Sequence, residues 1–274
     1  METLHSKRNR LFFRMRNSLA FRRKGYQETG DQNPVLSDLE LAMEQKFGFA
    51  HLRPFLKSAI YKKNLATLWI LDQMQISSHL PVGNLRILEP GCQDFSRLQA
   101  IRAYFKRWGR VAKISGLEID PYPILSNLHS RSDIAHYYLS LPGGNPSDSF
   151  GAGDFFQHLD PCQAIFAFYP FVSEHPALAW GLPAEVGNAH AWARSIAANL
   201  TDDGIALVVH QGKWEEEEFD AVRANVSLTL VDRKEVNCPF YPLPHPACAS
   251  LYRLSTSERK DVTLSGWKKN SQNF

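Results

Sequence analysis

Residues 85–120 read LRILEPGCQDFSRLQAIRAYFKRWGRVAKISGLEID, and this stretch predicts the fold of the chain. Its first apolar run stops at the Glu-Pro-Gly turn of residues 89–91, because proline cannot continue a strand ladder and glycine permits a sharp turn. Apolar residues then recur at helical spacing from residue 98 to residue 108, and Gly109 ends that pattern. A second apolar run ends at Asp120. Strand, helix and strand of this length predict a right-handed βαβ unit with ligand chemistry at the carboxyl ends of the strands.

Each of these two strands ends in an acidic residue, and both ends carry a family resemblance. Residues 89–92 (EPGC) and 116–121 (GLEIDP) resemble the nucleotide-binding half of class I (Rossmann-like) S-adenosylmethionine-dependent methyltransferases. In that family an acidic-x-Gly turn follows the first strand, and an acidic residue at the end of the second, here Glu118, holds the ribose hydroxyls. The resemblance covers residues 85–254. It implies an α/β fold with a doubly wound, mostly parallel seven-stranded sheet, helices on both faces and S-adenosylmethionine as the cofactor.

The turn after the first strand departs from the family pattern at two positions. The family usually continues with two more glycines at alternate positions, where this chain has Gln93 and Phe95. A dinucleotide pyrophosphate needs bare backbone close to its phosphates, so the loss of these glycines argues against NAD. S-adenosylmethionine has no phosphate and tolerates the loss better.

The resemblance also implies which residues contact the cofactor. Gly153-Asp154-Phe155 is similar to the family's Gly-Asp segment, whose acid and following apolar residue meet the adenine, although a plain loop aspartate is an equally open interpretation. The full set of predicted cofactor-binding residues is Glu89, Gly91, Cys92, Gln93, Glu118, Ile119, Asp154, Phe155 and Tyr169.

Catalytic candidates lie at the ends of two further predicted strands. Transfer from a sulfonium methyl is an SN2 reaction that needs in-line placement, and an oxygen or ammonium nucleophile also needs a base. Tyr169, His175 and His210 follow predicted strands and are the catalytic candidates, although a structural or positioning role is open for each. Many nitrogen-methylating relatives carry Asn or Asp, two prolines and an aromatic residue where this chain has Tyr169-Pro170-Phe171. An exocyclic base amine is therefore not favoured as the acceptor.

The remaining patterns predict the domain organisation. Residues 34–84 are expected to form a helical cap, with a capping-box pattern at residues 37–40 and further helices at 51–60 and 62–76. After the βαβ unit, the patterns predict a short helix at 124–128, strands at 135–139, 164–168, 205–209, 228–231 and 249–254, a mobile loop at 142–153, and helices at 189–200 and 213–226. The resemblance implies that the last two strands form an antiparallel hairpin, so the proline-rich segment 239–246 is expected to border the substrate mouth. Residues 255–274 are expected to be a polar tail.

Positive charge is concentrated at the start of the chain. Residues 1–24 contain eight lysines and arginines against Glu2 alone, a charge of +7, so the remaining residues carry −4 of the total of +3. On a helical wheel an apolar set falls roughly together, consisting of Leu4, Leu11, Phe12, Met15 and Leu19. This pattern is typical of a basic amphipathic helix for a membrane surface, RNA or an acidic partner. The other interpretation is a solvated arm without a dedicated partner, and residues 1–33 are expected to be a basic, flexible arm and linker.

The apolar runs and the cysteines bear on the cellular location of the protein and on metal binding. No apolar run approaches the roughly 18 residues of a membrane span. The four cysteines lie far apart, which favours a reducing, cytoplasmic compartment, although the arginine-rich start also resembles a mitochondrial presequence. Cys238, His245 and Cys248 have a spacing that fits no standard zinc site, so no metal is expected.

Two classes of function are open at this stage. The first is a methyltransferase that acts on an unidentified acceptor, with a small molecule favoured. The second is a catalytically degenerate methyltransferase-like protein that docks on nucleic acid or a protein partner through its basic arm.

Overall fold

The structure, a computed structural model, describes residues 4–242 and 246–255 and contains a seven-stranded sheet. The strands are β1 (Leu85–Pro90), β2 (Ala112–Glu118), β3 (Ser149–Ala152), β4 (Cys162–Phe168), β5 (Leu200–His210), β6 (Leu228–Glu235) and β7 (Cys248–Leu254). Their order is β3-β2-β1-β4-β5-β7-β6, and β7 runs antiparallel to both of its neighbours, β5 and β6. The winding therefore reverses beside β1, as a doubly wound sheet requires, and the predicted fold class is confirmed.

Helices cover both faces of the sheet. They are α1 (Leu4–Leu19), α2 (Asp38–Phe47), α3 (Ser58–Gln73), α4 (Ile76–His79), α5 (Leu98–Arg107), α6 (Arg131–Ser140), α7 (Glu174–Ala179), α8 (Ala189–Asn199) and α9 (Lys213–Arg223), with short 3₁₀ turns at Phe49–Phe55, Phe155–Gln157, Ala184–Val186 and Ala224–Val226. Neighbouring residues of β1 face opposite cores, because successive strand side chains alternate. Ile87 packs in a core with α2, α3, α5 and α6, whereas Leu88 packs in a second core with α8 and α9.

The predicted helical cap of residues 34–84 is instead part of the main core. Leu65 and Leu68 of α3 are fully buried in the same cluster as Phe166 of β4 and Leu207 of β5. The capping box before α2 is present, with Ser37 and Glu40 exchanging hydrogen bonds. The helices predicted at residues 51–60 and 62–76 are replaced by the 3₁₀ turn and by α3, which ends at Gln73. These helices are a layer of the domain, because they bury apolar side chains against the sheet.

Three predicted segments between β2 and β4 differ from the structure. Residues 135–139, predicted as the third strand, lie within α6, whose start is set by a capping box between Ser130 and Asp133. The strand lies instead in the predicted mobile loop, where β3 pairs in parallel with β2 from Ser149 onward. The helix predicted at residues 124–128 is a turn that closes at Leu128, with a left-handed φ of 62°. In each case the structure depends on a helix cap or a strand partner that the apolar periodicity of the segment does not show.

The N-terminal residues also differ from the predicted flexible arm. α1 packs on the domain through polar side chains: Asn9 Nδ2 donates to the Leu178 carbonyl at 2.9 Å, and Arg16 makes two hydrogen bonds to Asp120 at 2.7 and 3.2 Å. Within residues 4–242 and 246–255, no helix has the length and apolar character needed to cross a bilayer. Of the predicted polar tail, only Ser255 is among the described residues.

Candidate functional site

The candidate site is a crevice at the carboxyl ends of β1, β2 and β4, where the sheet reverses its winding. A cavity of about 50 Å³ lies there. Five of the sequence-predicted site residues line it, namely Gly91, Gln93, Glu118, Ile119 and Tyr169. They come from three strand ends that are far apart in sequence, and the parallel pairing of β1 with both β2 and β4 brings them together.

The turn after β1 keeps the backbone of a glycine-rich turn without its glycines. Gly91, Gln93 and Phe95 have φ angles of 65°, 57° and 59°, all in the left-handed region that disfavours side chains. Phe95 is fully buried and lies over Gly116 of β2, where an added Cβ would come within 2.8 Å of the phenylalanine ring. Burial of a large apolar ring therefore offsets the strain of an unfavourable backbone at this position.

Glu118 is held at the end of β2 by backbone donors. The Gln93 amide donates to its Oε2 at 2.8 Å, and the Asp120 amide donates to its Oε1 at 2.9 Å. Arg131 Nη1 lies 3.5 Å from Oε1, and burial raises the pKa of the carboxyl despite that neighbouring cation. An ionised carboxylate accepts about four hydrogen bonds, so Glu118 keeps acceptor capacity for a ligand.

A buried charge cluster lies behind the turn. Glu89 is 1% exposed, and neither of its carboxylate oxygens has a hydrogen-bond partner among the described residues. Burial raises its pKa to about 7, although Arg97 at 3.7 Å and Lys63 both favour the ionised form. Lys63 donates to Ser96 Oγ at 2.8 Å, and burial lowers its pKa to about 8. A buried carboxylate without donors leaves a binding capacity that a cationic group could satisfy.

Three other predicted cofactor-binding residues, Cys92, Asp154 and Phe155, lie near the cavity but do not line it. Cys92 is buried beside Phe95 at the back of the turn, and burial raises the pKa of its thiol well above the usual value. Asp154 caps the following 3₁₀ turn by accepting from the Phe156 amide at 2.9 Å. Phe155 is buried against Trp192, with ring centroids 5.3 Å apart, and Trp192 itself lines the cavity. The capping bond of Asp154 fits the plain loop aspartate interpretation.

Tyr169 separates the crevice from a second cavity. It has a left-handed φ of 59°, and its amide donates to the Val209 carbonyl at 2.7 Å. The second cavity measures about 430 Å³ and is lined by Tyr169 together with Ala66, Ile70, Val236, Asn237, Cys238, Pro239, Tyr241, Pro242 and Pro246. The described part of the proline-rich segment therefore borders a cavity beside the crevice, where the sequence predicted the substrate mouth.

The structure does not bring the two histidine candidates to this crevice. His175 is exposed on α7 and does not line either cavity. His210 is fully buried, packs against Phe219 of α9 at 5.5 Å, and neither ring nitrogen has a hydrogen-bond partner among the described residues. Burial lowers its pKa to about 3, so it stays neutral. Neither histidine is among the residues that line the two cavities, so the roles of His175 and His210 as a catalytic base stay predictions.

Several residues of the site were missed at the sequence level. Arg131 and Trp192 line the cavity, and the Trp192 Nε1–H is buried without a partner in the described structure. Arg97 lies over the rings of Phe168 and Tyr169, at 4.7 and 5.4 Å from their centroids, and so joins the charge cluster to the cavity wall. A buried arginine at the start of a helix resembles a surface charge in a sequence, so no local pattern distinguishes it.

The crevice is covered from outside by α7, the Ala184–Val186 turn and α1. A small apolar cluster joins Leu182 and Val186 to Phe13 of α1 and to Ile119, and three of these four residues also line the cavity or stand at its edge. Asn17 of α1 donates to the Ile119 carbonyl at 3.3 Å. The cavity of about 50 Å³ is smaller than pockets for small molecules, which generally measure about 300 Å³ or more.

The described residues were also compared with the ligand sets of metal sites. Among the described residues there is no group of three or more histidine, cysteine or acidic side chains arranged to hold a metal ion. His245, one of the three residues considered for zinc, lies outside the described residues.

Comparison with solved structures identifies the fold. A protein from Listeria monocytogenes, assigned to the class I S-adenosylmethionine-dependent methyltransferases, matches with a TM-score of 0.53 and 12% identity over 82% of this chain and 71% of that chain. The magnesium protoporphyrin IX methyltransferase of Synechocystis PCC 6803 with bound S-adenosylmethionine has a TM-score of 0.49 and 12% identity over 81% of this chain and 100% of that chain. A S-adenosylmethionine-dependent methyltransferase from Clostridium acetobutylicum ATCC 824 has a TM-score of 0.47 and 8% identity over 70% and 92% of the two chains.

The chain therefore has the fold of class I S-adenosylmethionine-dependent methyltransferases, as its resemblance at the two strand ends predicted. No protein-family model matches the sequence, and no curated protein matches it significantly. At this level of identity the likeness is one of fold alone.

Proposed function

We propose that the protein is an S-adenosylmethionine-dependent methyltransferase whose cofactor lies in the crevice between β1, β2 and β4. The observation that carries this proposal is the convergence of Gly91, Glu118 and Tyr169 from three strand ends on one cavity at the point where the sheet reverses its winding. Ligands of open α/β sheets bind at this point, because the neighbouring loops part there.

The residues around the cavity fit the chemistry of this cofactor. Glu118 would accept hydrogen bonds from the two vicinal ribose hydroxyls, since backbone donors already fix its carboxylate in place. Glu89 has two carboxylate oxygens without donors, which suits the ammonium group of an amino acid moiety. When bound, the cofactor supplies a methyl group activated on a sulfonium. The chain's own part is to hold that group in line with an acceptor and to keep water out.

The acceptor would occupy the cavity on the other side of Tyr169. Its volume of about 430 Å³ falls in the range of small-molecule sites, and its lining is mainly apolar and aromatic. Burial raises the pKa of the Tyr169 hydroxyl, so this group stays protonated at neutral pH and serves as a hydrogen-bond donor and not as a base. We infer a small, largely apolar acceptor that Tyr169 orients, and the proposal assigns no general base.

Isothermal titration calorimetry on the full chain tests the cofactor assignment. S-adenosylmethionine and S-adenosylhomocysteine should bind and NAD should not. Glu118→Ala should weaken binding by about 1.5–3 kcal/mol, the range for hydrogen bonds to a charged group, which corresponds to roughly 10- to 150-fold.

Glu216→Ala is the matched control for that variant. Glu216 is equally buried and accepts from Ser250 at 2.8 Å, but it lies away from the crevice. It should lower the melting temperature comparably while cofactor affinity is unchanged. Equal affinity in folded Glu118→Ala and wild-type protein would remove Glu118 from the site.

One observation favours a second candidate function, a methyltransferase-like protein that binds a partner without catalysis. Arg131 lies against Glu118 and the cavity beside them is narrow, an arrangement that could be permanent in a degenerate domain. Absence of S-adenosylmethionine binding in the calorimeter would support this alternative. The cytoplasmic location, with the mitochondrion as the alternative, stays a prediction from the sequence.

A further inference from the structure

The apolar face of α1 points away from the protein. The five residues that cluster on the helical wheel are between 48% and 87% exposed, and they are Leu4, Leu11, Phe12, Met15 and Leu19. A surface helix of a globular protein ordinarily turns its apolar stripe towards the core and its polar side towards water. α1 therefore has the reverse orientation.

The reversed orientation is held by specific polar contacts on the inner face. Ser6 and Asn9 are buried, with 2% and 5% of their surface exposed. Asn9 donates to the carbonyls of Leu178 and Leu182, and the guanidinium of Arg16 binds both carboxylate oxygens of Asp120. Rotation of α1 to bury its apolar stripe would break these contacts, so the exposed stripe is a consequence of how the helix is attached.

Basic side chains accompany the exposed stripe. Lys7, Arg8 and Arg14 are exposed on α1, and none of them forms an ion pair with another described residue. Residues 1–24 carry +7, whereas the rest of the chain carries −4. The outward side of α1 thus combines large apolar side chains with cations that have no acidic partner in the described structure.

We propose that this outward face of α1 docks on an anionic membrane surface. A helix of this kind lies in the plane of the lipid interface with its apolar side chains among the acyl chains, while lysine and arginine bind the phosphate groups. RNA would account for the cations and leave the five apolar side chains exposed. A second copy of the chain would cover the apolar stripe and bring two sets of cations together. An anionic lipid surface satisfies both parts of the face.

Sedimentation with lipid vesicles tests the proposal on the full chain. The protein should bind vesicles of phosphatidylcholine mixed with phosphatidylglycerol, bind vesicles of phosphatidylcholine alone weakly, and release the mixed vesicles as salt rises, because salt screens the charge attraction. The triple variant Leu11→Ser, Phe12→Ser, Met15→Ser should bind the mixed vesicles about tenfold more weakly or worse, since it removes most of the inserted apolar area.

Two matched controls keep this test specific to α1. The triple variant Val35→Ser, Val82→Ser, Leu159→Ser removes apolar side chains that are 89%, 99% and 63% exposed elsewhere, and its vesicle binding should be unchanged. Arg8→Gln with Arg14→Gln should weaken binding to the mixed vesicles several-fold and flatten its salt dependence, whereas Lys106→Gln with Arg107→Gln, exposed on another surface, should not. Melting curves should be unchanged in all four variants, because every altered side chain is exposed.

Other occupants of the face would overturn the proposal. Failure of the wild-type chain to bind the mixed vesicles, or equal binding by the α1 triple variant, would do so. Light scattering that detects a dimer abolished by the α1 triple variant would assign the face to a second copy. Binding of an RNA oligonucleotide by a chain that ignores vesicles would assign it to nucleic acid. None of these outcomes depends on methyl transfer, so the test stands apart from the proposed enzymatic function.

Discussion

Tyr169 separates two cavities that differ in size, charge and lining. On one side the crevice measures about 50 Å³, and Glu118, Arg131 and the neighbouring Glu89 place buried charges around it. On the other side a cavity of about 430 Å³ is lined mostly by apolar and aromatic residues, with prolines at its rim. A ligand of the first cavity would be selected by fixed hydrogen bonds and charge, and a ligand of the second by shape and apolar burial.

The two cavities also differ in the elements that pack around them. The crevice is covered by α1, α7 and the Ala184–Val186 turn, whose residues pack together over its outer wall. The proposed acceptor cavity has no such cover in the described structure, and its walls come from α3 and from the segment that follows β6.

The largest effect is expected from Gly91→Val. Gly91 has a φ of 65°, and the ring of Trp192 lies 3.7 Å from the position of an added Cβ, so a branched side chain would fill the crevice. We expect S-adenosylmethionine binding to be lost in calorimetry. Gly109→Val is the matched control, because Gly109 has a φ of 64° with open space around it. Both variants should lose similar stability, and normal binding by Gly91→Val would place the cofactor elsewhere.

An intermediate effect is expected on the free energy of unfolding, through the titration of Glu89. Its pKa is raised from 4.5 to about 7 in the folded protein, so the folded state binds a proton that the unfolded state has lost. The free energy of unfolding should therefore fall as pH rises between these two values, by up to about 1.4 kcal/mol per pH unit, with the loss complete above the folded pKa. Chemical denaturation across this range should show a steeper fall in wild-type than in Glu89→Gln protein, because Glu215, whose pKa is also raised to about 7, contributes equally to the slope of both.

Cofactor binding gives a second test of the raised pKa of Glu89. An ammonium group beside Glu89 favours its ionised form, so binding near pH 6–7 should release a proton. Calorimetry in two buffers of different ionisation enthalpy measures that proton. Glu215→Gln is the control, since burial raises the pKa of Glu215 to about 7 as well, but this residue lies at α9. Glu215→Gln should still release the proton on cofactor binding. Release of the same proton by Glu89→Gln would contradict the placement of an ammonium group beside Glu89.

The smallest effect is expected from Gln93→Gly. A side chain in the left-handed region costs about 1 kcal/mol or more, and glycine removes that cost but adds entropy to the unfolded chain, so stability should rise by less than about 1 kcal/mol. The amide that donates to Glu118 remains, so cofactor affinity should be unchanged. Gln75→Gly, at a φ of 49° outside the crevice, is the matched control for stability. Weaker binding by Gln93→Gly alone would show that the Gln93 side chain contacts the cofactor.

The sequence by itself determined the central βαβ unit and with it the side of the sheet on which the crevice lies. The apolar run before Glu89, the helical spacing that ends near Gly109 and the acid at Glu118 are local patterns, and the structure has β1, α5 and β2 at these places. Local patterns suffice here because buried parallel strands are continuous apolar runs and their connections are right-handed. The two acidic strand ends also indicated the class of fold.

Only the tertiary structure decided the finer parts of the site. The left-handed turn at Gln93 and Phe95 depends on burial of the Phe95 ring over Gly116, a contact between residues that are distant in sequence. His210 carries the residue type of a catalytic base, but the alternation of strand side chains places it in the core, against Phe219 of α9. Arg131 lies at the crevice as the first residue of α6, a helix that contains the residues 135–139 predicted to be a strand.

The N-terminal helix shows the same division between what the sequence determines and what the tertiary structure decides. The amphipathic pattern and the charge of residues 1–24 are properties of the sequence, and they left an amphipathic helix and a solvated arm as open interpretations. The direction of that face was decided by Asn9 and Arg16, whose partners at Leu178 and Asp120 lie more than one hundred residues away along the chain. Periodicity fixes which residues share a side of a helix, but which side meets the protein depends on contacts that form only when the whole chain has folded.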